Sequence, residues 1–238
     1  NAINPQSGKV LSKGISDNWG YNYNAFYTVY LIDKTAAYRD ATRKALSNLN
    51  ANYRNFRWEG TSHDGYADSI ECAINLYNRE PIASTAAWID SEMRVMLAMQ
   101  KPSGIIGGWH GDGNFARTAI LWSLMKQQGV TIQPWRADVK LGAVATKRGI
   151  ELILMAEKPW TGKLIFDAPR HKTVMHMPAD YPRINQFPEW FTVDGKTTYT
   201  VSSGKKSPAQ HTGKSLQTGL PITLTAGQSI RLTIQAKP

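Results

Sequence analysis

The chain has 238 residues, is 42% hydrophobic and carries 28 Lys and Arg against 18 Asp and Glu, a formal net charge of +10. That length and apolar content suffice for a proper core in one large domain or two small ones. No run of about 18 apolar residues is present, which excludes a membrane-spanning helix, and no signal-peptide pattern or nucleic-acid motif is visible.

The first dozen residues, polar with Pro and Gly, read as a loose arm. A first helix is expected from Tyr21 to Ile32, opened by Ser16 or Asp17, and its nearly continuous apolar and aromatic content predicts burial on most sides. A second, from Thr35 to about Asn50, sets Tyr38, Ala41, Ala45 and Leu49 against Arg39, Asp40, Arg43 and Lys44, the pattern of a surface helix. Then comes WEGTSHDGYADSIECAINLYNREP, in which Glu59, His63, Asp64, Asp68 and Glu71 fall close together without Lys or Arg among them. Tyr66, Ile70 and Tyr77 mark a helix there, with Asp68 and Glu71 on one face. Clustered carboxylates raise one another's pKa, as a general acid near neutral pH requires. The structural alternative is decoration of a helix N-terminus, with Asp64 as the cap. The lone Cys72, inside this apolar pattern, reads as a buried thiol and excludes an intramolecular disulfide.

A fourth helix is expected from about Ser84 to Gln100. The stretch GIIGGWHGDGNFARTAILWSLMKQQG, residues 104–129, joins a glycine-rich loop to a fifth helix, with Asn114 as N-cap and Gly129 as stop. The loop would present Trp109, His110 and Asp112 at the mouth of a helix. Up to Pro134 there are 13 Lys and Arg against 11 Asp and Glu; from Trp135 onward there are 15 against 7. The basic surplus is C-terminal, and it suits a polyanion. From residue 135 the pattern turns to period two in GIELILMAE, GKLIFDAP, TTYTVSS, LPITLTAG and SIRLTIQA, as expected of an antiparallel, β-sandwich-like module. Within it MHMPADYPRINQFPEWFTVDG is too long for a hairpin and is expected to pack back on the helices. The expected fold is therefore α+β, with a helical domain over 1–134 and a β domain over 135–238.

The motifs Asp17-Asn18-Trp19-Gly20-Tyr21, His63-Asp64-Gly65-Tyr66-Ala67-Asp68 and Trp109-His110-Gly111-Asp112-Gly113-Asn114 each precede or open an apolar helix. Helical hairpins of this kind followed by a β module resemble the C-terminal part of carbohydrate-active enzymes built on an (α/α) toroid. The resemblance implies glycoside hydrolase or polysaccharide lyase activity, a cleft at one end of the helices, and a secreted or periplasmic setting. Toroids of this type use more helices than the five readable here. The expectation is that an N-terminal portion or a partner chain completes the ring.

Hydrolysis needs two carboxylates, separated by roughly 5 Å or by roughly 6.5–9.5 Å according to stereochemical outcome. Asp64, Asp68 and Asp112 are the candidates, with Trp19, Tyr21, Tyr66 and Trp109 as substrate-binding aromatics. Elimination on a uronate would use His110 or a Tyr as base and His63, Asn114 and Arg117 around the carboxyl group. A non-catalytic glycan-binding module is the third reading. No cofactor is expected; Asp64, Asp68 and loop carbonyls are oxygen ligands of the kind Ca²⁺ takes, but the spacing matches no EF-hand, and zinc lacks paired His or Cys ligands.

Overall fold

The computed structural model describes residues 6–7, 11, 15–106, 113–204 and 206–237. It is an α+β protein with seven α-helices and two antiparallel sheets among the described residues. None of these helices is long and apolar enough to cross a membrane. The chain forms two compact units, one of Asn1–Trp122 with Tyr181–Pro188, the other of Ser123–Asp180 with Glu189–Pro238.

The first unit contains α1 (Trp19–Asp33), α2 (Ala36–Asn52), a 3-10 turn at Trp58–Gly60, α3 (His63–Tyr77), α4 (Ala83–Ala98) and the start of α5 (Asn114–Gln127). α1 and α4 each pack on both α2 and α3, around fully buried Leu46, Trp58, Ile70, Ile74, Trp88 and Met93. Trp58 and Trp88 meet edge to face, with centroids 6.2 Å apart. Glu80, just past α3, is buried and receives the Tyr27 hydroxyl at 2.8 Å and Arg39 Nε at 2.5 Å, with Arg43 on its other oxygen. Burial alone would raise the Glu80 pKa, but these donors hold it below the ordinary carboxylate value.

The helix that is buried on most sides is α3 rather than α1. In α1 only Trp19, Gly20, Asn24 and Tyr27 are buried, while Phe26, Val29 and Ile32 are exposed. In α3 every residue from Gly65 to Leu76 except Asp68 is buried. The difference is one of neighbours: α3 touches α1, α2, α4 and the 3-10 turn, whereas α1 rests on two helices.

The second unit has a three-stranded sheet in the order β1 (Thr131–Gln133), β4 (Trp160–Ile165), β7 (Leu220–Leu224). Its five-stranded sheet has the order β2 (Val139–Thr146), β3 (Gly149–Ala156), β8 (Ser229–Ala236), β5 (Thr198–Ser203), β6 (Lys206–Thr212). Two short helices, α6 (Arg170–Thr173) and α7 (Gly213–Thr218), complete it. Both sheets contribute to one core, with Ile150, Leu152 and Leu154 of β3 beside Leu164 of β4, Leu224 of β7 and Ile234 of β8. Strict alternation along β3 leaves Glu151, Ile153 and Met155 on the outer face. β1, β2 and β6 were not expected: TIQ is too short to show a period, while Gly142, Ala143 and Ala145 in β2 and all of KSPAQHT but Thr212 carry little strand preference, which cross-strand pairing overrides. Pro208 is tolerated because β6 is an edge strand.

Candidate functional site

The site candidates of the first unit gather around the N-terminal half of α3. Ser62, not Asp64, caps this helix, its hydroxyl oxygen accepting from the Gly65 N–H at 2.9 Å while its O–H donates to Glu59 Oε2 at 2.8 Å. Asp64 is thereby released from capping and shares a face with Asp68 and Glu71, at steps of four and three residues. The preceding turn is fixed closely, since a Cβ on Gly65 would lie 2.9 Å from the Trp58 carbonyl carbon.

Two other segments are pinned beside that face. The Ser69 hydroxyl donates to the Asp17 carbonyl at 3.1 Å, holding the entrance to α1. The Thr118 hydroxyl donates to the Ala67 carbonyl at 3.0 Å, holding the first turns of α5. Asn114 is the first helical residue of α5 rather than its cap, and its amide donates to Asp64 Oδ1 at 2.6 Å. Arg117, one turn later, pairs with buried Glu71, lies 3.6 Å from Asp68 Oδ1 and donates to the Asn185 side chain. Glu71 also accepts the Asn185 backbone N–H at 3.0 Å.

Asp68 is the chemically distinctive member. Tyr21 hydrogen-bonds its carboxyl group, while Oδ1 is buried with no hydrogen-bond partner. Burial pushes its pKa up to about 6; the Tyr21 hydrogen bond opposes this and the charges of Asp64, Glu71 and Asp17 reinforce it. Burial likewise raises Glu71, against Arg117 and the Asn185 N–H, and raises Asp17, with Glu59 and Asp64 adding to the effect. The Tyr21 phenol is driven well above its ordinary range by burial, then by Cys72 and Asp68. Burial also pushes the Cys72 thiol up, and this free cysteine is fully enclosed.

The remaining candidates fall differently. His63 is largely buried and meets Phe115 edge to face, with centroids 5.7 Å apart. Trp19 is 8% exposed and packs on Tyr23. Tyr66 is 2% exposed, with its hydroxyl pKa raised by burial and Glu92, so its ring is part of the core. Trp109, His110 and Asp112 lie outside the described residues. Among the described residues no group of three or more His, Cys, Asp or Glu is arranged to hold a metal ion. Asn185 carried no signal in the sequence, standing 114 positions from Glu71. Glu71 did, through its helical spacing from Asp68.

The arrangement joins a carboxyl group that holds its proton near pH 6 to a second carboxylate oriented by an amide, with a guanidinium fixed by a buried acid. It is suited to giving a proton to an oxygen at mildly acidic to neutral pH. No family model matches the chain, and no curated protein or solved structure matches it.

Proposed function

We propose that the chain is a secreted or periplasmic polysaccharide-degrading enzyme that hydrolyses glycosidic bonds by carboxylate acid/base chemistry, of the type found in (α/α)-toroid carbohydrate-active enzymes. The observation that carries this reading is the Asp68 carboxyl, raised to about 6 beside Asp64, Glu71 and Asp17. Asp68 gives its proton to the leaving glycosidic oxygen, and Asp64, held by Asn114, serves as the second carboxylate. Arg117 and Tyr21 fix the Asp68 group between them. Elimination through Tyr21 is disfavoured, because a phenol pushed upward in pKa is slow to become the phenolate base. The 15 Lys and Arg against 7 Asp and Glu beyond residue 134 support an anionic glycan as substrate.

The test is incubation with neutral and uronic-acid polysaccharides while following reducing ends and the absorbance of an unsaturated product. New reducing ends alone, lost in Asp68→Asn, are the expected result. Both signals together would establish a lyase. Neither signal, with glycan binding retained, would make the chain a non-catalytic binding module.

A further inference from the structure

We propose that a cavity on the outer face of the five-stranded sheet binds a small carboxylate with an apolar body. It lies entirely in the second unit and draws on no residue of the Asp68 cluster. Its volume is about 500 Å³, within the roughly 300–1,000 Å³ of small-molecule sites.

The sheet register builds it. Ile153 of β3 stands opposite Gly142 of β2 on one side and Arg231 of β8 on the other, and Val144 stands opposite Glu151. Gly142 presents no side chain on that outer face, so the floor dips beside Ile153. Val144 is 65% exposed and Ile153 47% exposed, an apolar floor that nothing described here covers. Lys126 and Arg231 line the cavity with a single acid, Glu151, giving a net single positive charge. None of the lining residues is aromatic or bears a hydroxyl group. A sugar would find no aromatic stacking platform there. A carboxylate on an alkyl or aryl body matches both features, its body on Val144 and Ile153 and its charge toward Arg231 and Lys126.

The experiment titrates the full chain with hexanoate, followed through the methyl NMR signals of Val144 and Ile153, with hexanol and glucuronate as comparisons. Saturable shifts confined to this face are expected, with hexanoate binding tighter than either comparison. Arg231→Gln should weaken hexanoate by about tenfold. Gly142→Leu should abolish binding by filling the dip; a Cβ there meets Ile153 Cγ2 at 3.9 Å, an ordinary contact. If Gly142→Leu fails to fold, Arg231→Gln, on the solvent side of the sheet, still decides. Absence of saturation, hexanol binding as tightly as hexanoate, tighter binding of glucuronate, or unchanged affinity in Arg231→Gln would each overturn the proposal.

Discussion

The Asn114 side chain donates a hydrogen bond to Asp64 Oδ1 at 2.6 Å, tying the first residue of α5 to the first turn of α3 across 50 positions of sequence. A bond from an amide to a carboxylate fixes which way that carboxylate faces, and such bonds to charged groups contribute about 1.5–3 kcal/mol. Asn114→Ala should therefore lower kcat by about ten- to a hundredfold and destabilise the fold by up to about the same 1.5–3 kcal/mol. Asn114→Asp should cost more, because it sets a second carboxylate against Asp64. Steady-state kinetics on the cleaved polysaccharide, with melting curves alongside, check both. An Asn114→Ala enzyme with wild-type kcat would remove Asp64 from the machinery.

Arg117 is the partner that makes the burial of Glu71 tolerable. The Glu71 side chain is 1% exposed and Arg117 19% exposed. Removing one member of such a pair leaves the other charge stranded, at about 3–5 kcal/mol. Arg117→Met is expected to destabilise by about that much in urea unfolding. Arg117→Met combined with Glu71→Leu should recover most of the loss, because the pair as a whole is worth far less than the penalty for breaking it. A double variant as unstable as the single would show that the loss comes from packing of the Arg117 stem.

Much of the fold was legible where periodicity is strong. The expected helix over 35–50 is α2, the carboxylate-rich helix is α3, and the period-two run GIELILMAE is β3, whose residues alternate between core and solvent. Composition misled at α1, since an apolar, aromatic helix reads as enclosed until its neighbours are known, and Phe26, Val29 and Ile32 face outward. It also hid β2, whose Gly142, Ala143 and Ala145 carry little strand preference and which exists through its pairing with β3. For the site, helical spacing put Asp68 and Glu71 on one face, and the structure adds Asp64 to it once Ser62 takes the cap. The same spacing set Tyr66 with Ile70 on the apolar face, where its 2% exposure puts it in the core rather than at a sugar, but no local pattern could reveal that Asn185 closes on Glu71 from a distant loop.

Gly20 sets how closely α1 approaches α3. A Cβ at this position would lie 2.1 Å from Cys72 Cβ and 2.9 Å from its Sγ, a clash with the body of a helix rather than with a flexible tip. Gly20→Ala should destabilise by about 1–3 kcal/mol as the helices separate. The shift also moves the neighbouring Tyr21, which hydrogen-bonds Asp68, so turnover should fall together with the melting temperature. Cys72→Ala keeps the Cβ and should not rescue the variant. A Gly20→Ala protein that melts and turns over like the wild type would show that α1 adjusts freely.

Asp68 should reveal itself in the pH dependence of both stability and rate. With its carboxyl raised to about 6 in the fold against about 3.9 in the unfolded chain, the native state binds this proton more tightly. Its contribution to stability is therefore fully present below about pH 4 and is lost as pH rises through about 6. Asp68→Asn stays neutral throughout. The melting temperature of the variant minus that of the wild type should be near zero at the acidic end, grow between about pH 4 and 6, and level off above. If Asp68 is the proton donor, wild-type kcat/KM should decline above about pH 6, and the variant should lose about 10²–10⁴-fold in kcat. Parallel calorimetry and kinetics separate the two roles. A difference in melting temperature that stays flat from pH 4 to 7 would return Asp68 to an ordinary surface carboxylate. A shifted melting curve with an unaffected rate would leave it buried and raised but outside the reaction.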